Sequence, residues 1–117
     1  METKEAVKAL SALAQDSRLA AFRLLVEAGP DGMAAGAIAE SLGLPPPTAS
    51  FHLAQLANTG LIRSRTEGRF VIYAADFKRM QGLISFLTDN CCEGGVCEAT
   101  PVLPVTFNRL PRTKPTP

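Results

Sequence analysis

Apolar residues recur at helical spacing through the first sixty positions. Val7, Leu10, Leu13 and Ala14 form one face of a first helix that Thr3 can cap. A second helix, "RLAAFRLLVEAG", takes its cap from Asp16 or Ser17, turns Leu19, Phe22, Leu25 and Val26 inward, and ends at Gly29-Pro30. A third, short helix covers Ala34 to Leu42 and stops at Gly43. Pro45, Pro46 and Pro47 then precede a fourth, "TASFHLAQLAN", which Gly60 ends. Proline suits only the first turn of a helix, and the residue before it avoids helical dihedrals, so Pro47 is expected at the first helical position.

The period then changes. "LIRSRTEGRFVIYAA" is rich in β-branched and aromatic residues on both sides of Glu67-Gly68, the pattern of a two-stranded hairpin. Asp76 caps a last helix whose apolar positions are Phe77, Met80, Ile84 and Leu87. The predicted class is mainly α with a small β-hairpin wing, in the order of a winged helix-turn-helix. Packing supports the turn: Ala39 and Ala49 are small where two helices would cross, and Gly43 can take the left-handed conformation between them. In such a fold the helix starting at Pro47 enters the DNA major groove with its leading residues at the base edges. Thr48, Ser50, Phe51, His52 and Gln55 lie on its leading or outer faces, although a lone histidine also serves well in packing or capping. Arg63, Arg65 and Arg69 flank the wing turn, where guanidinium groups can meet phosphates.

Composition sets limits on this reading. A chain of 117 residues with 46% hydrophobic content and no Trp suits one helix-rich domain built on small and aliphatic side chains. No apolar run approaches the length of a membrane span, and "METKEAVKAL" has no secretory apolar core, so a cytoplasmic location is expected. The net charge of +1 says little alone. Its distribution says more, because five bases from Arg63 to Arg79 face only Glu67 and Asp76. Residues 1–90 are the expected DNA-binding and dimerisation domain, and 91–98 a cysteine segment. Residues 99–117, with five prolines, three bases and no acid, read as a disordered tail.

"LGLPPPTASFHLAQLANTGLIRSRTEGRFVIYAA" resembles the core of the ArsR/SmtB family of winged-helix metal-responsive repressors. The resemblance rests on Leu44, Pro47, Ser50, His52, Leu53, Leu56, Gly60-Leu61-Ile62, Arg65, Glu67-Gly68-Arg69 and Tyr73 at fixed spacing. It implies a homodimer paired through the first and last helices, bound to double-stranded operator DNA and released when metal binds. The chain departs from the family at Pro45 and Pro46, where Ser and Gln are usual, and at Phe51, where a basic or polar residue is common.

All three thiols, Cys91, Cys92 and Cys97, fall within seven positions. In a reducing compartment an odd, clustered set points to metal or thiol chemistry rather than a disulfide framework. Of the family's other sensor sites, one needs a Cys-x-Cys pair where this chain has Ala34 and Gly36. Another needs histidines on the last helix, and this chain has only His52. Structural zinc asks for four ligands, which Glu93 or Glu98 would have to complete. Trivalent arsenic or antimony needs only three soft thiolates. Adjacent helical residues point about 100° apart, so the helix must break near Asn90, with Gly94-Gly95 bringing Cys97 round. Some arsenic-responsive members of the family place their cysteines at the end of this last helix. The expected function is therefore a repressor induced by arsenite, or by trivalent antimony, through three thiolates. Cadmium or zinc, and thiol redox or sulfide sensing, are alternatives on the same fold. Redox sensing is the harder case, because a helix C-terminus beside Asp89, Glu93 and Glu98 raises thiol pKa. A small thiol reductase lacks an accompanying base or phosphate loop, so no enzyme is expected. A zinc-stapled protein-interaction module is the remaining reading.

Overall fold

The computed structural model describes residues 1–89; Cys91, Cys92, Cys97 and residues 99–117 lie outside the described residues. The elements are α1 (Thr3–Leu13), α2 (Asp16–Ala28), β1 (Met33–Ala34), α3 (Ala35–Leu42), α4 (Pro46–Asn58), β2 (Ile62–Glu67), β3 (Phe70–Ala75) and α5 (Phe77–Thr88). Met1–Leu87 form one unit, and only Thr88 and Asp89 are described beyond it.

Helix starts differ from expectation by about one residue. Glu2, not Thr3, occupies the cap of α1, and its N–H donates to the Glu5 carboxylate at 3.0 Å. Gln15 caps α2 in place of Asp16 or Ser17, its side-chain oxygen accepting from the Arg18 N–H at 2.9 Å. Asp16 falls in the first turn instead, where a carboxylate suits the positive end of the helix. Pro45 is extended (φ −60°, ψ 144°), so α4 begins at Pro46 and Pro47 is its second residue. Neither of the first two helical N–H groups has an intrahelical partner, so both prolines fit there.

The inner face of α1 is built from alanines rather than from its larger apolar residues. Ala6, Ala9 and Ala12 are buried, while Val7 and Leu10 are 56% and 41% exposed. Alanines let α1 lie close against α2 and α4, and the larger side chains are left on the outside. In α2, Phe22 and Leu25 are buried as expected, but Leu19 is exposed. In α5 the buried residue is Leu83; Phe77, Met80 and Phe86 pack on the core edge, and Ile84 and Leu87 face outward. Leu25, Ile38, Leu53, Leu56, Leu61 and Ile62 are the largest fully buried side chains, each contributing roughly 1.5–3 kcal/mol through apolar burial.

The helix-turn-helix is α3, Gly43 and α4. Gly43 is left-handed (φ 66°, ψ 31°), and the Leu44 N–H donates back to the Ala39 carbonyl at 3.0 Å, reversing the chain. Ala39 and Ala49 are both buried where α3 meets α4.

The wing has three strands rather than two, in the order β1-β3-β2, all antiparallel. β1 pairs Met33 with Tyr73 and Ala34 with Ile72, while β2 and β3 pair from Ile62↔Ala75 to Glu67↔Phe70. Gly32 leads into β1 with φ +76°, and a Cβ there would sit on the carbonyl oxygen of Tyr73. At the far end of β3, Asp76 caps α5: Oδ1 accepts from the Arg79 N–H at 3.0 Å and Oδ2 accepts from Arg63 Nε at 2.8 Å. The backbone N–H of Arg79, aided by Arg63 and opposed by burial, holds the Asp76 carboxyl below its ordinary pKa.

Two sets of stability changes follow. Gly32→Ala should cost about 2–4 kcal/mol, combining positive-φ strain with a backbone clash. Gly43→Ala, where nothing lies near the added Cβ, should cost only about 1 kcal/mol. Urea midpoints would measure both. Asp76→Ala should cost about 1–2 kcal/mol at neutral pH. Because the native pKa is lowered, this contribution is fully present above the ordinary Asp value and is lost as pH falls through the lowered native one, so the gap between wild type and variant should narrow on acidification.

Candidate nucleic-acid interface

Core packing determines which side of α4 faces solvent. Ala49, Leu53 and Leu56 form its buried stripe, and at about 100° per residue Phe51 falls on the opposite side. Phe51 is 57% exposed. Pro47, Thr48 and Ser50 are exposed near it, while His52 and Gln55 are half-buried on the flanks. Four of the six helix residues expected at DNA thus stand outward, and all six belong to the first three turns.

His52 has a second attachment. Arg18 Nη1 donates to its Nδ1 at 3.2 Å, and Arg18 Nε donates to the Ala12 carbonyl at 2.7 Å. Arginine has no acceptor, so in this contact Nδ1 presents its lone pair. One guanidinium therefore joins the end of α1, the start of α2 and the flank of α4. It lines an open groove with Lys8, Ser11, Gln55, Asn58 and Thr59. The His52 ring in turn meets Phe51 edge-on, with centroids 5.6 Å apart at 64°. Sequence reasoning missed Arg18. Its signal is weak, because an arginine in an amphipathic helix ordinarily reads as solvated surface.

The other end of α4 is held as firmly. Thr59, buried, donates from Oγ1 to the Leu56 carbonyl at 2.7 Å, and its own carbonyl accepts from Arg79 Nε at 3.2 Å. Arg79 also pairs with Glu5 at 3.6 Å, which connects α1, the α4 terminus and α5.

The wing arginines are not equivalent. Arg63, 73% exposed in its side chain, pairs with Asp76 at 2.8 Å. Arg65 pairs with Glu67 at 2.7 Å and donates from Nη2 to the Asp31 carbonyl at 2.9 Å. Arg69, in the two-residue turn Gly68-Arg69, has no ion pair to a described residue. Exposed pairs of this kind are each worth about 0–1 kcal/mol, so phosphate can displace the carboxylates. Phe70, beside the turn, is 64% exposed. Among the described residues no group of three or more His, Cys, Asp or Glu is placed to hold a metal ion, and no helix is long and apolar enough to cross a membrane.

Comparison with known proteins agrees with this geometry. A helix-turn-helix domain model matches residues 13–65. No curated protein gives a significant match. The chain is similar to a homodimeric winged helix-turn-helix DNA-binding domain of Mycobacterium bovis, "a possible ArsR-family transcriptional regulator". Identity is 30%, with 77% of this chain and 83% of that one covered, at a TM-score of 0.59. It is also similar to HlyU from Vibrio cholerae, at 28% identity, 80% and 100% coverage and a TM-score of 0.61. A structure of reduced HlyU from the same organism matches at 27% identity, with 78% and 93% coverage and a TM-score of 0.61. With the turn, the outward helix face and the basic wing in place, the chain belongs to the ArsR family of winged helix-turn-helix, DNA-binding transcriptional regulators.

Proposed function

We propose that this regulator is a homodimeric repressor that leaves its operator when Cys91, Cys92 and Cys97 bind trivalent arsenic or antimony. The observation that carries the inducer is the donor set: three thiols within seven positions, directly after the last helix. Three thiolates complete the pyramidal shell of these soft ions, whereas zinc would want a fourth ligand. The described residues offer no competing cluster.

The dimer rests on a different observation. Val7 and Leu10 on α1, and Ile84 and Leu87 on α5, are large apolar side chains left in solvent. Pairing of the first and last helices of two copies would cover them. The Mycobacterium bovis relative is itself homodimeric. Coupling then follows from position, since α5 would carry both the dimer surface and the approach to the cysteines. Ion binding must favour the dimer geometry that fits DNA less well, and DNA must weaken ion binding by the same factor.

Thiol oxidation is the second reading, favoured by the likeness to a protein whose reduced form has been solved. Fluorescence anisotropy of the reduced protein on its promoter DNA separates the two. Arsenite should weaken operator binding about 5–150-fold, and Cys91→Ser, Cys92→Ser and Cys97→Ser should each stay bound. Release by an oxidant with no response to arsenite, antimonite, cadmium or zinc would transfer the thiols to redox sensing. In sedimentation, Leu10→Asp or Leu87→Asp should shift the protein toward monomer. Arg69→Ala should weaken binding evenly across DNA sequences and lower the salt slope by about 1 per protomer.

A further inference from the structure

Phe51 stands out on α4. Most large apolar side chains of the helices are buried or lie on α1 and α5, yet this ring is 57% exposed on the side opposite Ala49, Leu53 and Leu56. It is the only Phe, Tyr or Trp on α4. Its surroundings are fixed rather than loose. The His52 ring abuts it edge-on at 5.6 Å, and His52 is held at Nδ1 by Arg18, which is anchored to the Ala12 carbonyl.

In the major groove the base edges are hydrogen-bond donors and acceptors, with one apolar exception, the C5-methyl of thymine. A phenyl ring can neither donate to nor accept from the polar edges, and burying it against them would strip water from groups it cannot satisfy. Against a methyl group it gains apolar contact without that cost.

We propose that Phe51 is a specificity-determining residue that packs on a thymine methyl group, and that Arg18 and His52 are positioning residues that set its ring. Arg18 acts at a distance: it reaches the flank of α4 from the α1–α2 corner and restricts the imidazole against which Phe51 rests. The restriction lowers the entropy lost when the ring docks, so the contact discriminates rather than merely tolerates.

The test replaces thymine by 2′-deoxyuridine, which removes the methyl group and leaves every hydrogen-bonding edge intact. A high-affinity duplex is first selected from random-sequence DNA with the full-length, reduced protein. Each thymine is then changed to deoxyuridine in turn, and anisotropy gives the affinity ratio. One substitution should weaken the wild type about fourfold, the equivalent of about 0.8 kcal/mol for one buried methyl-sized group. Phe51→Ala should bind the two duplexes equally, and selection with that variant should lose the thymine at that position. Arg18→Gln and His52→Ala should each reduce the ratio. The double variant should be no worse than the more damaging single one, since both act through the same ring. The ratio compares two duplexes on one protein, so partial unfolding of a variant does not mimic the effect. A wild-type ratio of one at every thymine, or an undiminished ratio in Phe51→Ala, overturns the assignment of Phe51. An undiminished ratio in Arg18→Gln overturns the positioning role.

Discussion

The burial of Leu53, Leu56, Leu61 and Ile62 is the constraint from which the other features follow. The first two point α4 into the core by one stripe, which forces Thr48, Phe51 and their neighbours outward. The next two lead into and begin β2 inside the core, so the wing starts from a fixed point and projects from it. The Leu61 carbonyl also accepts from the Asp76 N–H at 2.8 Å, which ties the start of one wing strand to the end of the other and to the cap of α5. The helix with the outward face, the wing and the terminal helix therefore share one anchor. Removing a leucine there would leave a cavity and also loosen the relative placement of all three.

Much of this was legible from residue pattern. Ala39, Gly43 and Ala49 marked the turn because small size and left-handed freedom are rare requirements that few residue types meet. The hairpin was legible from β-branched and aromatic residues around Glu67-Gly68, and Asp76 from its place before an apolar helix. The strand β1 was not. Two residues cannot show alternation, and its existence depends on a remote partner, Tyr73, and on Gly32 allowing close approach.

The inward face of α1 is not the face that apolar periodicity picks out. Hydrophobicity ranked Val7 and Leu10 above Ala6 and Ala9, but helix packing in a small domain rewards closeness as well as apolar area. At the DNA-facing surface, the outward residues of α4 could be assigned from helical periodicity alone. What periodicity cannot supply is a contact across 34 positions, such as Arg18 to His52. It also cannot tell that Arg63 and Arg65 are paired while Arg69 has no ion pair among the described residues, because pairing depends on strand register and on where Asp76 and Glu67 come to lie.

That pairing bears on how such a protein finds its site. A chromosome offers on the order of 10⁶–10⁹ competing sites, so a regulator with every arginine bare would spend most of its time on irrelevant DNA. Here two of the three wing guanidinium groups already hold carboxylates. Exchanging a carboxylate for a phosphate gains less than capturing a phosphate with a free cation. The wing therefore holds arbitrary phosphate backbone less strongly than three free guanidinium groups would, by an amount set by the strength of those two pairs.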